Sequence, residues 1–290
     1  MSQQIYIDGA WVSREDAKVS IFDHGLLYGD GVFDSVRSYD GRLFKLDEHV
    51  NRLYLSAKGI GLDIGIPKAK FTEQVIESIR RNNLRDAYVR LVVTRGPGDL
   101  GIDPRKCTKS TIIILADKIT IYPEETYKRG LRVIIASTRR TPPDSLNGKI
   151  KSLNYLNNII AKLEHIHTGM DESLMLNHEG YLVEGTVENI FLVKGKKLLT
   201  PPCHIGALEG ITRQTTIDLA PSVGLSAEEA LLTANDLYTA DECFLTGTGA
   251  ELVPVVQVDG RAIGDGKPGP VTQKMLAAYR EYTKQVGIPI

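Results

Sequence analysis

The chain is short of cysteine, of net charge and of long apolar runs, and each shortage removes a class of protein. Its 290 residues hold three cysteines, Cys107, Cys203 and Cys243, far apart in sequence. No Cys-x-x-Cys pair exists, which argues against a zinc site or a redox dithiol and predicts no metal. The odd count fits a reducing compartment and predicts a cytoplasmic protein. The formal net charge is −1, so no global field draws the chain to nucleic acid or to an anionic membrane. No apolar run approaches the roughly 18 residues of a spanning helix. The first nine residues read as a strand and turn, without the basic and apolar regions of a signal peptide. Familiar ligand loops are missing too. Gly29-Asp30-Gly31 lacks the third glycine of a dinucleotide fingerprint, because position 34 is Asp34, and Gly266-Lys267 runs into Pro268 rather than completing a phosphate loop. There is no Gly-x-Ser-x-Gly elbow, and the His165-x-His167 pair lacks further ligands.

What remains is an ordinary globular composition, 42% hydrophobic and 24% charged, long enough for one large domain or two. Ile5-Tyr6-Ile7, Asp8-Gly9 and Ala10-Trp11-Val12 spell a β-hairpin. Residues 32–46 predict two strands around Asp40-Gly41. The spacing predicts helices over 46–59, with Asp47 as N-cap, and over 68–82. Residues 88–94 and 111–116 are β-rich and predict a strand pair. Residues 1–116 thus read as a smaller α+β domain. Residues 117–130, more charged and containing Pro123, predict a linker. Residues 131–290 read as a larger domain, a mixed barrel or sheet with short strands and helices over 154–167, 212–220 and 272–286.

Lysine forms Schiff bases with carbonyls. Lys151 opens Lys151-Ser152-Leu153-Asn154-Tyr155. If that segment is helical or nearly so, Tyr155 shares its face, four residues on. Glu188 stands at the mouth of the apolar run Ile190-Phe191-Leu192-Val193, where an unpaired carboxylate is costly. A pyridinium would be a fitting partner, with Asn189 in support. Lysine, tyrosine and carboxylate together suit pyridoxal phosphate (PLP), which needs an acidic partner for its ring nitrogen. Each residue also has a plainer use: a surface lysine, a core tyrosine capping a helix, a solvated strand-end glutamate. Leu208-Glu209-Gly210-Ile211-Thr212-Arg213 leads into a helix whose first N–H groups, at Ile211 and Thr212, suit a phosphate or form an ordinary cap. Thr246-Gly247-Thr248-Gly249-Ala250-Glu251 is a second donor loop. Arg52 offers a permanent cation or is simply a solvated helix residue.

These motifs, in this order, resemble the fold-type IV PLP enzymes (the D-amino acid aminotransferase-like fold, mixed α and β in two domains) and, among them, the branched-chain amino acid aminotransferases. The resemblance spans nearly the whole chain. It rests on Tyr28-Gly29-Asp30-Gly31-Val32-Phe33-Asp34, residues 49–53, 151–155, 184–191 and 208–213, Ala240-Asp241-Glu242, residues 246–251 and Pro268-Gly269-Pro270. It implies a transaminase of amino-acid metabolism that moves the amino group of L-leucine, L-isoleucine or L-valine to 2-oxoglutarate. Lys151 is then the catalytic Schiff-base residue, which also carries the proton. Tyr155 bonds the ring oxygen and Glu188 the ring nitrogen. Arg52, Ile211, Thr212 and Thr248 hold the phosphate, and Leu208 packs under the ring. Thr248, Gly249 and Ala250, with Tyr88, hold the substrate carboxylate. Phe33, Tyr28 and Tyr155 line the side-chain pocket, and Arg90 meets the γ-carboxylate of glutamate. The resemblance also implies a homodimer or higher homo-oligomer in which Tyr28 and Leu100 act across the interface. D-amino acid aminotransferases and aminodeoxychorismate lyases share the fold, as would a protein that only binds a ligand. Tyr155 and Thr94-Arg95-Gly96-Pro97-Gly98-Asp99-Leu100-Gly101 favour the L-specific branch, where Arg-x-His is missing. Two departures touch the expected pocket: Asp34-Ser35-Val36 in place of Glu-Gly-Ile, and Gly249 in place of alanine.

Overall fold

The computed structural model describes residues 2–118 and 120–290, which fall into two compact units. The first holds the described residues up to 118, then Ile150–Asn154 and Thr283–Ile290; the second holds Thr120–Lys149 and Tyr155–Tyr282.

The elements of the first unit start with β1 (Gln4–Ile7) and β2 (Ala10–Ser13), joined by the expected hairpin, with Ile7 opposite Ala10. Its two turn residues, Asp8 and Gly9, have φ of 49° and 96°, as a tight turn matched to strand twist requires. There follow α1 (His24–Tyr28), β3 (Gly31–Tyr39), β4 (Arg42–Leu43), α2 (Leu46–Gly59), α3 (Lys68–Arg81), β5 (Tyr88–Thr94) and β6 (Thr111–Asp117). The expected pairing of residues 88–94 with 111–116 is present and extends by one pair, Tyr88 with Asp117. Alternation along β3 and β5 sorts their side chains. Val32, Val36, Val89, Leu91 and Val93 are buried in a core shared with Leu53, Phe71 and Ile79 of α2 and α3. Phe33, Ser35, Arg37, Tyr88 and Arg90 therefore belong to the other face. Helix α2 starts two residues earlier than a cap at Asp47 would give: Lys45 is the N-cap, at φ 50°, and its carbonyl accepts the first helical bond, from His49 N–H. Asp47 and Glu48 fall in the first turn, where they favour the helix dipole.

The second unit contains α4 (Glu124–Arg129), β7 (Leu131–Ile135), α5 (Leu156–Thr168), β8 (Glu172–Leu176), β9 (Leu182–Gly185), β10 (Asn189–Lys194), β11 (Lys197–Thr200), α6 (Ile211–Leu219), β12 (Ser226–Glu229), α7 (Ala234–Tyr238), β13 (Glu242–Gly247), β14 (Glu251–Val258), β15 (Arg261–Ala262) and most of α8 (Pro270–Gln285), which leaves it after Tyr282. Its nine-stranded sheet runs β12-β11-β10-β13-β14-β7-β8-β9, with β15 on β14. The ladders are mixed, parallel at β11–β12, β14–β7 and β7–β8. Strand β16 (Ile288–Pro289) returns to β4, at one edge of the seven-stranded sheet of the first unit, ordered β16-β4-β3-β5-β6-β1-β2.

The expected boundaries shift in two ways. The proposed linker, 117–130, is structured from Thr120 onward as part of the second unit; Ile119 lies outside the described residues. Pro123 caps α4, with Glu124 and Glu125 in its first turn and Lys128 and Arg129 in its last, so the charge that reads as linker is helix patterning. The chain also re-enters the first unit twice, where Ile150, Ile288 and Ile290 pack on its core. Among the described residues no helix is long and apolar enough to cross a membrane.

Candidate active site

Lys151 lies in the first unit, in a segment that runs along β3. Phe33 N–H donates to the Lys151 carbonyl at 2.9 Å and Leu153 N–H to the Gly31 carbonyl at 2.9 Å, and Ser152 bridges Val32. The Lys151 N–H donates to Ser56 Oγ of α2 at 3.1 Å. This extended backbone replaces the helical turn expected over 151–155. Helix α5 starts only at Leu156, with Tyr155 as N-cap, so lysine and tyrosine do not share a helix face: β3 has taken the donors and acceptors a turn would use. The Lys151 ammonium stands 4.7 Å from the centre of the Phe33 ring, and the Arg90 guanidinium is also 4.7 Å from that ring and 5.9 Å from the Tyr88 ring. Ser35, opposite Arg90 across the strands, has a buried hydroxyl without a hydrogen-bond partner among the described residues. Lysine, two aromatic rings, arginine and hydroxyl thus share one face of β3 and β5.

Asp34 is on the other face. Its fully buried carboxylate accepts from Arg52 Nε and Nη2, each at 2.8 Å, and from His49 Nδ1–H at 2.8 Å. Burial opposes its ionisation, but the Arg52 and His49 contacts outweigh that and hold the carboxyl far below the usual range. Burial lowers His49, helped by Arg52 and Lys151, so His49 is neutral and donates through Nδ1. Asp34 therefore fixes Arg52 from beneath the sheet and does not line the Phe33 face, where the sequence comparison with Glu-Gly-Ile placed this departure. Tyr28 and Leu100 are exposed on the surface of the first unit, tied together where Gly101 N–H donates to Tyr28 Oη at 2.9 Å.

In the second unit, Glu188 closes the tight turn between β9 and β10, where Gly185 N–H donates to its carbonyl at 2.7 Å. Its carboxyl is buried. Oε1 accepts from the Tyr122 hydroxyl at 3.2 Å and Oε2 from Val187 N–H at 3.3 Å. Desolvation first, then the charge of Glu172, pushes it up to about 8. A buried carboxyl held so poorly as an anion suits a cationic partner such as a protonated ring nitrogen. Around it the expected donors converge on Asn189. That side chain donates to the Leu208 carbonyl at 3.0 Å and to Glu184 at 3.3 Å, rather than to Glu188. Asn189 pairs with Thr246 across the ladder, and its Oδ1 lies 1.9 Å from where a Cβ at Gly210 would be. Gly210 caps α6, whose first intrahelical bond is Gln214 N–H to the Gly210 carbonyl at 2.9 Å. The amides of Ile211 and Thr212 precede that bond and present an anion site. Gly247 packs on Glu188 Cγ and Ala250 Cβ, at 3.5 and 3.8 Å from an ideal Cβ, which places the Thr248-Gly249-Ala250 turn next to Glu188. Carboxyl, helix end and donor loop thus meet in a single unit and fit a phosphorylated pyridine.

Two neighbours of the candidate site escape sequence reasoning. Tyr122 lies in the presumed linker. Arg140, which pairs with Glu184 at 3.0 Å, belongs to no motif. Ser35, which the sequence marks only as part of the Asp34-Ser35-Val36 departure, is set on the Phe33 face by strand alternation once β3 is assigned.

The family described as amino-transferase class IV matches residues 31–258. A Methanocaldococcus jannaschii protein, whose own assignment as a branched-chain-amino-acid aminotransferase is provisional, is 50% identical over 99% of both chains. The branched-chain-amino-acid aminotransferase of Escherichia coli K12 is 36% identical over 95% of this chain and 91% of its own. The crystal structure of a branched-chain amino acid aminotransferase from T.th. with pyridoxamine 5'-phosphate superposes with a TM-score of 0.94, covering 98% of this chain and 95% of that one at 36% identity.

Proposed function

We infer that this chain, which belongs to the amino-transferase class IV family, is a pyridoxal-phosphate-dependent branched-chain-amino-acid transaminase. It passes the amino group of L-leucine, L-isoleucine or L-valine to 2-oxoglutarate. The observation that carries the reading is the buried Glu188 beside the donor set of Gly210, Ile211 and Thr212, all organised by Asn189. When bound, the cofactor supplies a carbonyl for imine formation and an electron-withdrawing ring. Every other task falls to the protein. Lys151 is the amine that bonds to that carbonyl and afterwards holds and returns the substrate's α-proton at Nζ. Glu188 stabilises positive charge on the ring nitrogen and Tyr155 bonds the ring oxygen. The Ile211 and Thr212 amides, with Arg52 and Thr248, hold the phosphate, and Leu208 supports the ring. The Thr248-Gly249-Ala250 turn and Tyr88 hold the substrate carboxylate. Phe33, with Tyr28 and Tyr155, gives aliphatic side chains an apolar wall, and Arg90, 4.7 Å from the Phe33 ring, offers a charge-assisted partner to the second carboxylate of glutamate. The protein works in the cytoplasm as a homodimer or higher homo-oligomer, with Tyr28 and Leu100 serving a neighbouring copy.

The visible absorption of the purified protein with added cofactor tests the reading. A band of the lysine-bound cofactor that collapses with L-leucine and persists with D-alanine is expected, and Lys151→Ala lacks both the band and turnover. Collapse with D-alanine alone would transfer the chain to the D-specific relatives. Retained turnover in Lys151→Ala would sink the assignment.

A further inference from the structure

The face of β3 and β5 that carries the Lys151 ammonium also carries two polar side chains without protein partners. Ser35 is only 5% exposed, and its Oγ is buried with no hydrogen-bond partner among the described residues. Arg90 stands directly opposite it on β5. The Arg90 guanidinium makes no hydrogen bond or ion pair with another described residue. It rests on ring faces instead, 4.7 Å from the centre of Phe33 and 5.9 Å from that of Tyr88.

Strand geometry brings hydroxyl and guanidinium together. Phe33 N–H points away from β5, to the Lys151 carbonyl at 2.9 Å. Ser35, two residues on, turns its N–H to the same side, where Asp34 Oδ1 accepts it at 2.7 Å. Ser35 and Arg90 are therefore a non-hydrogen-bonded pair. In such pairs the facing Cα atoms are closest, about 4.5 Å apart, and the side chains are neighbours. Phe33 is the next residue on the Ser35 face. The arginine thus rises opposite Ser35 and leans onto the ring beside which the Lys151 ammonium stands, 4.7 Å from its centre.

A buried hydroxyl that bonds to nothing is unfavourable, and so is a guanidinium whose donors are unspent. No carboxylate shares this face: Phe33 and Tyr88 bring rings, and Arg37 and Lys151 bring further positive charge. The missing partner is an anion with several acceptor positions. A carboxylate meets that need, taking the guanidinium on one side and the hydroxyl on the other. Arg90, seated on ring faces, can turn toward it without breaking a hydrogen bond. An aliphatic side chain packs on the Phe33 ring equally well but leaves the hydroxyl unpaired. A site that hydrogen-bonds one substrate group discriminates against the analogue that lacks it.

We propose that Ser35 is a specificity-determining residue: its hydroxyl donates to the second carboxylate of the acidic substrate, beside Arg90, and biases the pocket toward dicarboxylic over aliphatic substrates. The proposal rests on the reading of this face as the pocket in which Arg90 meets that carboxylate. Glycine, which the resemblance leads one to expect at this position, would supply no hydroxyl, so the contact belongs to this chain's own sequence.

Glutarate and 4-methylpentanoate test it. Both lack an amino group and do not react, both keep one carboxylate, and they differ at the far end, a carboxylate against an isopropyl group. Their dissociation constants for the cofactor-loaded protein are measured by calorimetry in the wild type, Ser35→Ala and Arg90→Gln. Ser35→Ala removes the hydroxyl and keeps the Cβ. The preference for glutarate over 4-methylpentanoate, read as the ratio of the two constants, is expected to fall at least about tenfold, with glutarate bound more weakly and 4-methylpentanoate more tightly. A merely structural role for Ser35 would weaken both ligands alike, and a ratio left unmoved overturns the proposal. Ser35→Gly removes the same hydroxyl and carries the test if Ser35→Ala does not fold. A ratio that falls in Arg90→Gln but not in the Ser35 variant overturns the proposal alone. One that falls in neither overturns the assignment of Arg90 as well. Failure of both ligands to bind the wild-type protein would overturn the transaminase reading, and the proposal with it.

Discussion

At the residue scale, the chemistry of this chain depends on charges whose partners are not neighbours in sequence. Lys151 and Glu188 stand out in the sequence as candidates because their residue types are demanding and their motifs local. Asp34 is different. The sequence marks it as a departure beside Phe33, yet a strand sends successive side chains to opposite faces, and Asp34 goes to the helix side with Arg52 and His49. The pairing is a matter of α2 docking on β3, which no local pattern encodes. Its energetics are testable. Removing one member of a buried, hydrogen-bonded ion pair costs about 3–5 kcal/mol, so Asp34→Asn should lower unfolding stability by that order in urea titration. The pH dependence has a definite sign. The folded carboxyl lies far below its unfolded value of about 3.9. Its contribution is therefore complete above that value and drains as pH falls toward the folded one, so wild-type stability should drop below about pH 4. The drop should be shallower in Asp34→Asn. A variant as stable as the wild type, with the same acid limb, would mean that the triad is not structural.

At the element scale, periodicity located most helices and strands to within a residue or two, because α2, α3 and the β5–β6 pair bury clean apolar faces. It failed over 151–155, where the backbone joins β3 by two hydrogen bonds that depend on the fold, and over 120–130, where a short helix carries charge at both ends. The start of α6 illustrates how tightly one element can be set by another. Gly210 has an ordinary φ of −69°, so its glycine is not required by the backbone. It is required by Asn189, whose Oδ1 fills the space of a Cβ. Gly210→Ala must displace Asn189, loosening its bond to the Leu208 carbonyl and rotating the first amides of α6. The expected outcome is cofactor affinity weaker by about tenfold or more, since roughly 1.4 kcal/mol is one such factor, with the global fold retained. Equilibrium binding followed by cofactor absorption measures it; undiminished affinity would show that the α6 amides do not hold the phosphate.

At the scale of the whole molecule, the surface of the first unit carries more apolar area than a lone chain needs. Ile21, Phe22, Leu26 and Leu27 sit in and before α1, and Leu100 and Ile102 in the loop after β5, all exposed. The two segments are joined, by Gly98 N–H to the Phe22 carbonyl at 3.1 Å and Gly101 N–H to Tyr28 Oη at 2.9 Å, so these exposed side chains lie on neighbouring stretches of chain. Contiguous exposed apolar area marks association surfaces. Under the proposed function the occupant is a second copy, because that reading has Tyr28 and Leu100 of these segments serving a neighbouring chain. Light scattering should then give a mass of at least twice the chain's 32.0 kDa. Leu26 is 62% exposed and belongs to no assigned part of the site, so a charge there should act on association alone. Leu26→Glu is expected to shift the protein toward monomer, with turnover falling in step with the oligomer and recovering as protein concentration rises. A variant that stays oligomeric and fully active would place the interface elsewhere. A monomer with full activity would show that each chain completes its own site and that Tyr28 and Leu100 serve no neighbour.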